Sequence, residues 1–186
     1  MKRMDKIRSF EVLACSGEIP SEFISTNKAI RERQYNDFKD EGIILYPYKD
    51  IRRKHLLKRD LIVFNDEWWI IFRYLDVVYK LTINKGAIQD GASIPLFARW
   101  FNTTAHNQYV SIPAAIHDCF FALHLFLFDD SNNIFSGALR YKKLNKFGIG
   151  KLMLGVRSSI GHRSYRNNKP EEHWLKDFVD FEIIHS

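Results

Sequence analysis

Three short runs of β-branched and aromatic residues constrain the fold more than any other part of this chain. They read LIVF (61–64), EWWIIFRYL (67–75) and VVYKLTIN (77–84), broken by Asn65-Asp66 and by Asp76. Such side chains suit a pleated surface, and turn residues at such short intervals suit hairpins, so an antiparallel meander is expected over about residues 61–89. Alternation puts Trp68, Ile70 and Phe72 on one face and Trp69, Ile71 and Arg73 on the other. A sheet apolar on both faces must be covered on both. The cover has to come from helices downstream and from the N-terminal segment.

The downstream sequence supplies helices. Ser111 and Pro113 suit the start of one running to Phe128, the most apolar stretch of the chain. Asp129-Asp130-Ser131-Asn132 reads as an interruption that caps the next helix, whose stripe is Ile134, Phe135, Ala138, Leu139 and Leu144, with Gly148 as its stop. A third helix carries Ile149, Leu152, Met153, Val156 and Ile160 and is expected to end at Gly161. Pro170-Glu171-Glu172 then opens an amphipathic segment with Trp174, Leu175 and Phe178. Before the sheet, the charged run after Pro20 reads as a helix with Gly42 as its stop, residues 43–46 as a short strand, and IRRKHLLKR (51–59) as a basic cluster. That cluster is either a solvated face guarding a sheet edge or a phosphate-binding patch. The expected fold class is α+β: an antiparallel meander covered by three or four helices, with a partly helical N-terminal extension. Residues 1–60 are read as that extension or arm, 61–168 as the main domain, and 169–186 as a C-terminal segment.

Composition narrows the function classes. A chain of 186 residues, 46% hydrophobic and 15% aromatic, is long and apolar enough to bury a core. A net charge of +6 suits anionic partners but lies within ordinary solubility limits. Cys15 and Cys119 form no disulfide framework and no metal-ligand spacing, which suits reduced thiols and synthesis in a cytosol. The N-terminal residues MKRMDKIRSF are basic but lack an apolar signal region. His117, Asp118 and His124 interrupt the apolar run at 112–128, which falls short of the about 20 residues a membrane span needs. No G-x-S-x-G, Walker, H-E-x-x-H or zinc-ribbon pattern is present.

Two stretches place charge where a core would prefer none: Asp90-Gly91-Ala92-Ser93-Ile94-Pro95, and AAIHDCFF at 114–121. His117 and Asp118 lie about 100° apart on a helix, so each must find its partner elsewhere. For Asp118 the economical partners are a cation, a basic side chain, or the backbone of the Asp90 turn. Asp90 and Ser93 add a second carboxylate and a hydroxyl beside turn amides. Asp129 or Asp130 is placed to reach back and orient the His117 imidazole. In a catalytic reading, His117 activates water while Asp118 and Asp90 hold calcium or another divalent cation. In a structural reading, Asp118 pins the Asp90 turn and His117 is a satisfied core histidine. Cys119 points to a different face from His117, His124 reads as a core or boundary residue, and His162 with Arg163 and Arg166 suits a helix C-terminus.

The run from GAIQDGASIP through AAIHDCFF, an acidic turn and FSGAL to GIGKLMLGVRSSIG resembles the domain of unknown function 1353, a family common in tailed bacteriophages and prophages. The likeness covers about residues 61–166 and is carried by Asp90, Ala92, Ser93, Pro95, His117, Asp118, Val156, Arg157 and Gly161. Phe121 stands where the family usually has tyrosine, and Phe128-Asp129-Asp130 where it has Ala-Asp. The resemblance implies a phage origin and a shared site, and no particular reaction. A looser likeness of parts is to secreted phospholipases of the A-two class, where a helical His-Asp pair activates water and binds calcium, though their disulfides are lacking here. Two functions follow as expectations. One is a hydrolase-like site acting on bacterial envelope lipid or cell-wall polymer. The other is a noncatalytic virion, tail or connector protein whose N-terminal arm contacts other phage proteins. Synthesis in the host cytoplasm is implied for both, incorporation in the virion for the second, and nucleic acid is not the expected partner.

Overall fold

The computed structural model describes residues 10–25, 27–42, 61–89 and 110–185. The described elements, in chain order, are β1 (Glu11–Cys15), β2 (Ser21–Ile24), α1 (Lys28–Asp40), β3 (Leu61–Phe64), β4 (Trp68–Tyr74), β5 (Val77–Ile83) and β6 (Ile88–Gln89). They continue with α2 (Ser111–Leu123), α3 (Phe128–Tyr141), α4 (Lys146–Val156), α5 (Ser159–Asn167), two 3-10 turns (Pro170–Glu172 and Trp174–Asp177) and β7 (Val179–His185). The fold class is α+β, built on two antiparallel sheets ordered β1-β4-β5-β7 and β2-β3-β6.

The β4–β5 hairpin forms where the alternation predicts it. Tyr74 pairs with Val77, which leaves Leu75 and Asp76 as a two-residue turn with φ of 51° and 68°. Two positive φ angles make this the primed turn whose twist matches that of the strands. The third expected strand of the meander goes elsewhere. β3 crosses to the smaller sheet, where Ser21 pairs with Phe64 and Ile62 with Gln89. The four-stranded sheet gains β1 and β7 in its place, from the two ends of the chain. Trp68 Nε1 donates to the Gly17 carbonyl at 3.0 Å and ties the β1–β2 link to the hairpin.

The expectation of a sheet covered on both faces is corrected by burial. Trp68, Ile70, Phe72 and Tyr74 are buried, while Trp69, Ile71 and Arg73 are only partly so. The second face carries ion pairs, Arg73 with Glu11 at 2.6 Å and Lys80 with Glu182 at 3.4 Å, so it behaves as an amphipathic face. The strand buried on both faces is β3. Ile62 and Phe64 join the main core, and Val63 packs with Ile24, Phe38 and Ile88. On the inner face of the larger sheet, Ile112, Ala115, Ile116, Cys119 and Phe120 of α2 share one core with Ile70, Phe72, Leu81 and Ile83.

Helix boundaries differ from expectation for local reasons. α2 stops at Leu123 because His124 turns left-handed, with φ 51°. The acidic turn lies inside α3, with Asp129 and Asp130 in its first turn, where carboxylates suit the helix dipole. Gly148 does not stop a helix; its N–H donates to Asn145 Oδ1 at 2.7 Å and caps α4. Gly161 lies within α5, and a Cβ there would collide with the Val156 carbonyl. Glycine is therefore needed at the tight α4–α5 corner. Gly137 serves α3 similarly: a Cβ would lie 2.6 Å from Phe10 Cβ, so its absence lets the residue before β1 press against the helix. Near the N-terminus, the run after Pro20 begins as β2, and Asn27 then caps α1 at Ala29 and Ile30. At the other end Trp174, Leu175 and Phe178 do pack on the core, through 3-10 turns that lead into β7. Among the described residues no helix is long and apolar enough to cross a membrane. The strand expected at 43–46 and the basic cluster at 51–59 lie outside the described residues.

Candidate functional site

His117 sits in the middle of α2 and is 7% exposed. Its ring lies between Phe121, at 4.1 Å centroid to centroid, and Phe135 of α3, at 4.6 Å. Its Nε2 is 3.1 Å from Asn132 Oδ1. Asn132 spends its own amide donor on the Phe128 carbonyl at 2.9 Å, one helical turn back. That leaves Oδ1 as an acceptor, so the imidazole carries its proton on Nε2 and donates. Burial lowers the His117 pKa to about 4, and the bond to Asn132 only partly offsets this. The ring is neutral at physiological pH.

The carboxylates expected to orient His117 do other things. Asp129 is exposed. Asp130 Oδ1 accepts from Tyr74 Oη at 2.7 Å, which joins the start of α3 to the end of β4. Burial first, and the bond to Asp130 second, push the Tyr74 hydroxyl well above its ordinary pKa. Next along α3, Asn133 Oδ1 accepts from Arg157 Nη2 at 2.6 Å, and Arg157 is the C-cap of α4. One polar stretch, residues 130–133, thus staples α3 to the sheet, to α2 and to α4. Asn132 enters the sequence reading only as part of a capping run, and neither Asn133 nor Tyr74 is singled out in it. The signal for the two asparagines is an Asn pair next to an apolar stripe, which reads equally well as a turn.

Asp118 is half-buried on α2, one position round the helix from His117. Burial, and then the charge of Asp118, push the Cys119 thiol upward and hold it protonated. Gln89 Nε2 lies 3.6 Å from Cys119 Sγ and 3.5 Å from the Ala115 carbonyl, so β6 meets α2 at the level of the candidate site. Gln89 is the last described residue before Asp90. Asp90 and Ser93 lie outside the described residues. Among the described residues no group of three or more His, Cys, Asp or Glu side chains is placed to hold a metal ion. Of the two carboxylates read as cation ligands, only Asp118 is described. His124 Nε2 meets the Tyr165 carbonyl at 2.8 Å and its ring stacks on Tyr165, so the C-cap of α2 is tied to α5, which Phe121 also touches at Tyr165.

Compared with protein-family models, with curated proteins and with solved structures, the chain matches none of them.

Proposed function

We propose that this chain is a noncatalytic assembly protein, of the virion, tail or connector kind implied by the phage-type motifs, and that its His-Asp helix is a fold element. The observation that carries this reading is the burial of His117 between two phenyl rings with Nε2 bonded to Asn132. A general base needs a nitrogen within reach of a water and a pKa near the working pH. The His117 imidazole has its Nε2 committed to Asn132, is 7% exposed and has a pKa of about 4, which fits a general base poorly. The Asp130 carboxylate, the Ser131 hydroxyl and the amides of Asn132 and Asn133 are likewise used internally, by Tyr74, the Phe126 carbonyl, His117 and Arg157. Phage particles as destination rest on the likeness carried by His117, Asp118, Val156, Arg157 and Gly161. The structure supplies a reason for glycine at the last of these.

The test uses purified full-length protein on phospholipid vesicles and on peptidoglycan, with and without calcium, beside a His117→Gln variant. No turnover from either protein is expected, with the substitution changing stability alone. Turnover by the parent that the variant loses while keeping its fold would overturn the reading in favour of a hydrolase acting on envelope lipid or cell wall. NMR titration of the His117 ring adds a second check. An imidazole titrating near 7 would contradict the sealed site.

A further inference from the structure

Charge is unevenly distributed along this chain. Of 28 basic and 22 acidic residues, the stretch from Ser131 to Pro170 holds nine of the basic ones and none of the acidic ones. The rest of the chain is on balance acidic. Four of the nine are engaged within the fold: Lys142 pairs with Glu18 at 3.0 Å, Lys169 with Glu172 at 2.8 Å, Arg157 bonds to Asn133, and Lys151 lies over the Phe147 ring. Arg140, Lys143, Lys146, Arg163 and Arg166 are exposed. Arg140, Lys143 and Lys146 lie around the α3–α4 link and the start of α4, and Arg163 and Arg166 lie on α5.

The corner where α4 turns into α5 exposes apolar side chains. The four most exposed large apolar residues among those described are Leu127 (74%), Ile160 (73%), Phe147 (72%) and Leu154 (71%). Phe147, Lys151 and Leu154 follow i, i+4, i+7 on the side of α4 away from the buried Ile149 and Leu152. The Lys151 ammonium lies 3.8 Å over the Phe147 ring, so its stem runs along that apolar strip. On α5, Ile160 and Arg163 share the outer face, while Tyr165 turns inward to bond the Phe126 carbonyl. Leu127 precedes Phe128, whose ring packs against His162 and Tyr165 of α5.

From this arrangement we propose that the α4–α5 corner docks on the surface of an anionic lipid bilayer, with Phe147, Leu154 and Ile160 entering the headgroup–acyl boundary and the surrounding cations meeting the headgroups. Apolar side chains ringed by lysine and arginine on short helices are the pattern of interfacial binding. A second copy docked through the same face would bring like charges together. Nucleic acid would match the charge, but Leu154 and Ile160 have no ring face for bases to stack on. The proposal does not depend on whether His117 is catalytic, because binding to vesicles and hydrolysis are read in separate assays.

The experiment is sedimentation of the full chain with vesicles of phosphatidylcholine alone and of equal parts phosphatidylcholine and phosphatidylglycerol. Binding to the anionic vesicles is expected, at least ~10-fold weaker on the neutral ones and in about 0.5 M salt. Leu154→Ser with Ile160→Ser should weaken it by a further ~10-fold while circular dichroism and the urea midpoint stay put, since both residues are exposed. A Phe147→Trp reporter should shift its emission to the blue on the anionic vesicles. Absence of binding to the anionic vesicles overturns the proposal, as does equal binding by the double serine variant. Tighter binding to a short DNA duplex, unaffected by the serine changes, overturns it in favour of nucleic acid.

Discussion

The interior helix α3 and the peripheral α4–α5 corner invert the usual distribution of side chains. From Ser131 to Leu139 every residue of α3 is buried, including Ser131, Asn132, Asn133 and Ser136. At the corner Phe147, Leu154 and Ile160 stand in solvent. The buried polar pattern is not tolerable without compensation. A buried amide without a partner costs more than its hydrogen bond contributes, so the polar groups of α3 are held by His117, Arg157 and backbone carbonyls. Exposed apolar groups have no such internal remedy, and in the docking proposed above a lipid surface would cover them. The difference separates the part of the molecule whose polar groups are satisfied internally from the part proposed to meet a bilayer.

The largest expected effect that would break this comparison is a pH effect. His117 titrates at about 4 in the folded protein and near 6.5 when unfolded. Its folded pKa is depressed, so the unfolded chain binds the extra proton first as pH falls. The neutral ring's contribution is complete above about pH 6.5 and is lost between there and about 4, amounting to roughly 3 kcal/mol. Urea unfolding of the parent and of His117→Gln across that window should converge as the pH drops. Parallel curves would mean that His117 is not sealed.

Next in size is Asn132→Ala, which strands the His117 N–H inside the core and should cost about 2 kcal/mol in urea unfolding. A loss no larger than at an exposed site would show that α3 does not need its polar staples. Tyr74→Phe removes one donor from Asp130 and should cost about 1 kcal/mol, accompanied by loss of the raised tyrosine titration in the alkaline absorbance. The smallest effect sharpens the other side of the comparison. Leu154→Ser should change stability by less than about 0.5 kcal/mol, because that side chain is mostly in solvent before and after. A larger loss would mean that the corner is packed within the chain and has nothing to offer a partner.

What the sequence determined by itself is the set of periodicities. The alternation in EWWIIFRYL names Trp68, Ile70 and Phe72 as one face, and the stripe in α4 names Ile149 and Leu152, because both patterns are written in consecutive residues. It also pointed to α2 as the place where charge enters a core. Tertiary structure alone decided which strand pairs with which. LIVF satisfies any neighbour with free hydrogen bonds, and β2 with β6 supplied them in place of β4. It decided the partner of His117 in the same way. Because α3 starts at Phe128 and not after the acidic turn, Asp130 and Asn132 stand about 200° apart around the helix. The amide therefore faces α2 while the carboxylate faces Tyr74 of the sheet. A shift of a few residues in one helix start is invisible to composition and spacing. It turned an expected carboxylate–histidine pair into an amide–histidine pair, because direction around a helix is set by where the helix begins.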